Sequence, residues 1–166
     1  MEYLVNLFMD TLGQYISKEA MVFVVSMFPV MELRAGMLVS VLLDVSLHKA
    51  IILSYIGNVI PIPFFLYGVK RLAAAMRRGK TDGGWLGRLM MRKGEANKEK
   101  VTKAEFIALL AFVAVPLPGT GAYTGSLISA AFDMDYKKSL LFIYIGMAIA
   151  LTIMSIVYVT LGTFLG

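Results

Sequence analysis

The chain contains no cysteine and a single histidine, His48. The first absence excludes a disulfide scaffold, a thiolate-held zinc or iron–sulfur centre and a thiol nucleophile. The second removes the imidazole pair of an HExxH zinc site and leaves one imidazole base. Charge is scarce as well: 16% of the residues are Asp, Glu, Lys or Arg, where soluble domains carry about a quarter. Of 166 residues 58% are hydrophobic and the mean hydropathy is +0.75. Such a composition cannot cover a water-facing surface, so the chain reads as an all-α integral membrane protein. No nucleophile–base pair and no metal-ligating cluster stands out, so neither an enzyme nor a bound metal or cofactor is expected.

The formal net charge of +5 is unevenly placed. Residues 70–103 hold eleven of the sixteen Lys and Arg against three acids, a local charge of +8 that leaves the remainder net minus three. A short cation-rich connection stays on the cytoplasmic side of a membrane, so 70–103 are expected in the cytoplasm of a multi-pass protein of the cell (plasma) membrane. No nucleic-acid partner is expected from so local an excess. Within the loop, Trp85, Leu86, Leu89 and Met90 share a helical face beside Arg88, Arg92 and Lys93, which suits either anionic lipid or a solvated linker.

Four apolar stretches organise the chain: 20–43, broken only by Glu32 and Arg34, then 50–69, 106–132 and 139–166. Ahead of them Leu4, Leu7, Phe8, Leu12, Tyr15 and Ile16 recur at helical spacing and predict an amphipathic interfacial helix over 1–18. Sliding the sequence against itself by 89 positions aligns 23–60 with 112–149 without a gap, and twelve of the 38 pairs are identical. They include Pro29/Pro118, Gly36/Gly125, Ser40/Ser129, Asp44/Asp133, Tyr55/Tyr144 and Gly57/Gly146, which apolar bias alone does not produce. The chain is therefore expected to be one membrane domain, 1–166, with repeat 1 at 19–69, the basic loop at 70–104 and repeat 2 at 105–166.

Each repeat opens on a stretch with a break in it. Pro116, Pro118, Gly119 and Gly121 fall within six residues, which a continuous helix resists. The flanking segments, 106–115 and 122–132, each reach ~15 Å, about half the hydrocarbon thickness. Two such half-helices predict a re-entrant hairpin; a kinked, fully spanning helix is the alternative. Pro29 to Gly36 forms the matching break in the first stretch, and Gly125 follows the second. Two re-entrant hairpins, each followed by one crossing, give two inverted-topology repeats, with a substrate site near the midplane where the hairpins meet.

Glu32 and Arg34 lie in the first break, where each charge costs ~2.5–3.5 kcal/mol on insertion scales. They are binding-site candidates, or else a structural ion pair. The second break offers Thr120, Tyr123, Thr124 and the amides around Gly119 and Gly121 at a helix N-terminus, which attracts anions; a simple tight turn is the alternative. Asn58, before Pro61 and Pro63, either hydrogen-bonds toward the site or is satisfied at a plain kink.

The segments MFPVMELRAGM, IGNVIPIPF and VPLPGTGAYTGSLISA resemble the signatures of the small multi-drug export protein family over about residues 20–165. The charged paired hairpins are also similar, more distantly, to the DedA/VTT superfamily, whose members are implicated in moving lipids, including polyprenyl-phosphate carriers. That resemblance implies Glu32 as the essential acid and Arg34 as its basic partner, though Tyr123 stands where the second hairpin would carry an arginine. The expected function is a transporter or flippase coupled to protons or another ion, moving an amphipathic or lipid-linked anionic, phosphate-type substrate. An exporter of amphipathic cations with Glu32 as counter-charge, and a non-transporting protein that recruits partners through the basic loop, are the alternatives. The expected partners are the lipid bilayer, the substrate, the coupling ion and a second copy in a homodimer.

Overall fold

The structure, a computed structural model, describes residues 17–78, 103–117 and 119–165. Among them are seven α-helices and no strand: α1 (Lys18–Met27), α2 (Glu32–Leu42), α3 (Leu47–Val59), α4 (Pro61–Arg77), α5 (Lys103–Ala114), α6 (Ala122–Ala131) and α7 (Tyr136–Leu165). The expected interfacial helix, the loop over 79–102 and Pro118 lie outside the described residues. The chain forms two compact units, Met1–Ile60 with Leu151–Gly166, and Pro61–Ala150. These units exchange parts of the repeats: each holds one repeat's helix pair and the start of its following helix, together with the last helical segment of the other repeat.

In the first unit α1 begins at Ser17, whose hydroxyl accepts a 3.2 Å bond from the Ala20 N–H and caps the helix. Pro29 lies in the four-residue connection, and α2 packs back on α1. α2 stops at Asp44, where φ is 53°. The Val45 N–H bonds to the Ser40 carbonyl (2.9 Å) and the Asp44 N–H to that of Val41 (3.2 Å), the two bonds of a Schellman stop. Aspartate enters this left-handed conformation more readily than most residues. Lys49 then donates to Glu19 at 2.9 Å, tying the start of α3 to the start of α1, so the hairpin brings the chain back to its own entry level. Met21, Val22, Leu43 and Val45 fill the core there. Tyr158 of α7 donates to the Val45 carbonyl at 2.6 Å.

The second unit repeats this local logic. Asp133, 89 positions after Asp44, has φ 55°, and the Met134 and Asp133 N–H groups bond to the Ser129 and Ala130 carbonyls at 3.0 and 3.3 Å. The matched aspartates are thus helix stops. Asp135 accepts from the Lys138 N–H at 2.9 Å and caps α7. On α4, Ile62, Leu66, Val69, Ala73 and Met76 are buried at alternating four- and three-residue spacing, and the last three pack with Ala130. From the same helix Lys70 donates to the Ser129 (3.3 Å) and Met134 carbonyls. Arg77 donates to Ala130 (2.7 Å) and pairs with Asp133 at 2.6 Å. Cations are favoured at a helix C-terminus because its carbonyls are unpaired and its dipole is negative. The helix consequently runs to Arg77, eight residues beyond the end of the apolar stretch at 69.

Two repeated glycines explain how tightly each unit closes. A Cβ on Gly57 would lie 2.5 Å from the Phe23 carbonyl oxygen, and one on Gly146 would lie 2.9 Å from that of Leu110. Backbones meet there, as in small-residue contacts between membrane helices. Outside, Val30, Phe64 and Ile156 are 95%, 77% and 65% exposed. Among the described residues, Leu47–Arg77 and Tyr136–Thr163 are long and apolar enough to cross a membrane, at 31 and 28 residues. An exterior this apolar suits lipid better than water.

Candidate functional site

The two units place equivalent helix pairs in the same register, so one can be read against the other. In the second unit the Ser129 and Ser139 hydroxyls hydrogen-bond at 2.6 Å, and one turn nearer the break a Cβ on Gly125 would stand 3.7 Å from Ile143. In the first unit the equivalent level sets Gly36 against Ser54, whose hydroxyl is 2.8 Å from the Cβ position. By helix periodicity, one turn back from Gly36 along α2 is Glu32 and one turn forward from Ser54 along α3 is Asn58, so antiparallel packing of these neighbours, joined by four residues, sets the two at one level. The same step in the second unit pairs Gly121 with Met147.

These facing positions are polar in the first unit and apolar in the second. Asn58 and Ser54 are 0% exposed, and among the described residues neither the amide oxygen and nitrogen of Asn58 nor the hydroxyl of Ser54 has a hydrogen-bond partner. Orphaned buried groups cost about 1–3 kcal/mol each. Their counterparts Ile143 and Met147 are as deeply buried, 0% and 1% exposed, and satisfy the fold without polar atoms. Ser26 belongs to the same set: its hydroxyl donates to the Val22 carbonyl at 2.7 Å beside Gly36, where the second repeat has Val115.

The break is confined to residues 28–31, so Glu32 and Arg34 lie just past it in the first turn of α2, and Gly36, expected in the break, lies within the helix. In that first turn Arg34 donates to Glu32 at 3.1 Å, with side chains 14% and 5% exposed. Pairing cancels the charge, whereas removal of one partner from a buried pair costs about 3–5 kcal/mol. Glu32 also sits at φ 53°, a left-handed conformation costing a non-glycine residue roughly 1–2 kcal/mol. Its counterpart Gly121 also has a positive φ, 142°, in a different region that glycine enters freely. A strained, buried, charged residue where the repeat itself accommodates glycine is a functional candidate.

The remaining expected residues lie in the second unit. The Thr120 hydroxyl accepts from the Leu117 N–H at 3.3 Å and lies 2.6 and 2.8 Å from the Val115 and Leu117 carbonyls, so it closes the turn after Pro116. Tyr123 is buried, its ring 4.8 Å edge-on from Phe65. Thr124 is half-buried in the first turn of α6, and Gly119 (φ 82°) and Gly121 shape the break. Glu32, Arg34 and Asn58 therefore share the first unit, while Gly119, Thr120, Gly121, Tyr123 and Thr124 share the second. Ser26 and Ser54 went unrecognised in the sequence, although the mismatched repeat pairs Ser26/Val115, Ser54/Ile143 and Asn58/Met147 mark them. The second unit also contains an apolar cavity of about 220 Å³ lined by Leu109, Phe112, Ile128, Phe132 and Met134, with Glu105 as a carboxylate in its wall. Among the described residues no cluster of three or more His, Asp or Glu is placed to hold a metal.

Among the described residues, an all-helical fold with an apolar exterior and two helices of spanning length suits a membrane protein. The family described as "Putative small multi-drug export protein" matches residues 32–153, and the chain belongs to it. No curated protein and no solved structure matches the chain.

Proposed function

We propose that the protein is a proton-coupled membrane transporter or flippase whose working residues are the polar set of the first unit. The observation that carries this reading is the asymmetry of the repeat: one copy has Glu32, Arg34, Ser54 and Asn58 where the other has Gly121, Tyr123, Ile143 and Met147. In the resting state Glu32 neutralises Arg34. Protonation of Glu32 removes its charge and frees the guanidinium to hold a phosphate-type headgroup, which it can do bidentately. The substrate class is then an amphipathic or lipid-linked anion that enters with a proton. The breaks are re-entrant hairpins of inverted repeats, a reading supported by half-helices of ten to twelve residues and by the Glu19–Lys49 tie between the ends of the first hairpin segment.

The test is transport of a lipid-linked phosphate in proteoliposomes under an imposed pH gradient. Glu32→Gln should abolish proton dependence while the protein still folds, and full proton-coupled transport by that variant would sink the assignment. Because the chain has no cysteine, single cysteines at Ser17, Ser46 and Thr81 test the topology. Ser17 and Ser46 should label from outside and Thr81 from the cytoplasm; labelling of Ser17 and Ser46 from opposite sides would remove the re-entrant hairpin.

The cavity with Glu105 favours a second reading, export of amphipathic cations, because an apolar cavity with one carboxylate matches a greasy cation. Cells expressing the protein should then grow better on cationic dyes, and Glu105→Gln should cancel the gain. Unchanged tolerance at confirmed expression would count against it.

A further inference from the structure

The Glu32–Arg34 pair leaves one feature of its own level unexplained: Asn58, on the facing helix, is wholly buried with both amide atoms unpartnered. Such an amide calls for a donor and an acceptor side by side. An ionised carboxylate supplies acceptors only and could satisfy Nδ2 alone. A protonated carboxylic acid supplies an O–H and a C=O together and satisfies both atoms at once. Glu32 is the group at that level able to become one. Gly36, one turn away, has no side chain to hold α2 and α3 apart, and its Cβ position is 2.8 Å from the Ser54 hydroxyl.

Among the described residues of this unit, few other charges bear on this level. Lys18 and Glu19 of α1, Asp44 after α2, and His48 and Lys49 of α3 gather at the opposite end of the unit, where Glu19 and Lys49 pair. Tyr158 of α7 bonds to Val45 at that same end. Among the described residues of this unit, Arg34 and Tyr55, the latter one turn before Asn58, are the other titratable groups near the break.

We infer that Asn58 is the second station of the Glu32 carboxyl and thereby sets its proton affinity. Ionised, Glu32 pairs with Arg34. Protonated, it turns to Asn58, donating its O–H to Oδ1 and accepting from Nδ2–H at its carbonyl oxygen. One proton enters, one ion pair opens, and the positive charge left on Arg34 is balanced by the anion it receives. Asn58 is a positioning residue acting through Glu32, and the inference rests on the proton-coupled reading above.

The experiment is an isotope-edited infrared titration of the purified full chain in lipid nanodiscs. The Glu32 carboxyl band is identified as the one missing in Glu32→Gln. Asn58→Met installs the residue that the second repeat carries at this level, and Asn58→Leu is a near-isosteric second choice. Either should lower the Glu32 midpoint by about one pH unit, a tenfold loss of proton affinity, and shift the protonated band toward that of an unbonded acid. An unchanged or raised midpoint in whichever variant folds overturns the inference. Absence of any titrating Glu32 band in the wild type would instead overturn the proton-coupled reading, so the two failures are distinguishable.

Discussion

Replacing Asn58 by Met should make the protein more stable. Buried polar residues are normally kept because their partners would otherwise be orphaned, but Asn58 has no partner for either amide atom. Removing it deletes two unsatisfied groups and orphans nothing, a gain of about 1–3 kcal/mol for each. Against this stands the risk of overpacking, typically 1–3 kcal/mol where volume is added. Asn and Met match in side-chain heavy-atom count, and Met147 fills the equivalent level of the second unit at 1% exposure. The desolvation term therefore wins, and the expected net gain is about 1–2 kcal/mol. For a chain of this length that raises the thermal midpoint by about 2–8 °C.

The assay is thermal unfolding in detergent followed by circular dichroism, at fixed pH and detergent. Its reciprocal, Met147→Asn, should lose about 3 kcal/mol or more, since it buries an amide among apolar groups and removes a packed side chain. A lowered midpoint in Asn58→Met, together with a mild effect of Met147→Asn, would refute the reasoning. It would mean that Asn58 is satisfied in the folded protein and that the first unit needs its polarity to fold. The expected outcome, a more stable protein whose Glu32 binds its proton about tenfold more weakly, is the signature of a residue retained for function at the expense of stability.

Three further outcomes follow from the same contacts. Glu32→Gln should cost about 3 kcal/mol by leaving Arg34 buried beside a neutral partner, and the double change Glu32→Gly with Arg34→Tyr, which copies Gly121 and Tyr123, should recover most of it; a double variant no more stable than the single one would show that the pair is not the cause. Lys70→Met and Arg77→Met should each lower stability by about 1 kcal/mol, by uncapping the carbonyls at the end of α6, and unfolding midpoints equal to wild type would remove that role. Lys49 holds Glu19 below its ordinary value of 4.5, chiefly through its hydrogen bond to the carboxylate, so the pair's contribution is fully present above that value and lost as pH falls through the depressed one. Lys49→Gln should flatten this acid-side loss of thermal stability, and because the pair is exposed the difference should fade in high salt; identical acid profiles in wild type and variant would rule the pair out.

The helices and their breaks were legible because they obey local chemistry: Pro29, Pro116, Gly119 and Gly121 interrupt apolar runs, and a helix cannot continue through them. Matched pairs such as Gly57/Gly146 and Asp44/Asp133 announced a repeat, but not their roles. A close backbone approach and a left-handed stop depend on what stands opposite, which one strand of sequence does not carry. The end of α4 was misplaced for a related reason. Lys70, Arg71 and Arg77 look like loop residues when charge is counted, yet Lys70 and Arg77 complete the end of α6 and Arg71 lies 5.2 Å over the Tyr67 ring. The counter-signal was present, since Leu66, Val69, Ala73 and Met76 continue the apolar spacing past residue 69. In the site, Glu32 and Arg34 stood out as charges in an apolar run, whereas Ser54 looks like any helix serine until its level and its missing partner are known.

A repeated sequence supplies its own control. Features that both copies keep, such as the glycine contacts and the aspartate stops, are what the helix packing requires. Features that one copy keeps alone cannot be requirements of that packing, because the other copy folds without them. Glu32 in a conformation suited to glycine, Arg34 against it, and Ser54 and Asn58 without partners all belong to the second class. Each is unfavourable locally, by about 1–3 kcal/mol for an orphaned group or a strained residue, and all lie in the first unit. Costs gathered at one level and the next of a single helix pair are hard to attribute to drift, since an apolar replacement of Ser54 or Asn58, or of Glu32 and Arg34 together, would relieve them. In the proposed transporter, selection for chemistry at that place accounts for their company. It also predicts which swaps do damage: exchanging shared features between copies should be neutral, while exchanging the unshared set should move activity and leave the fold standing.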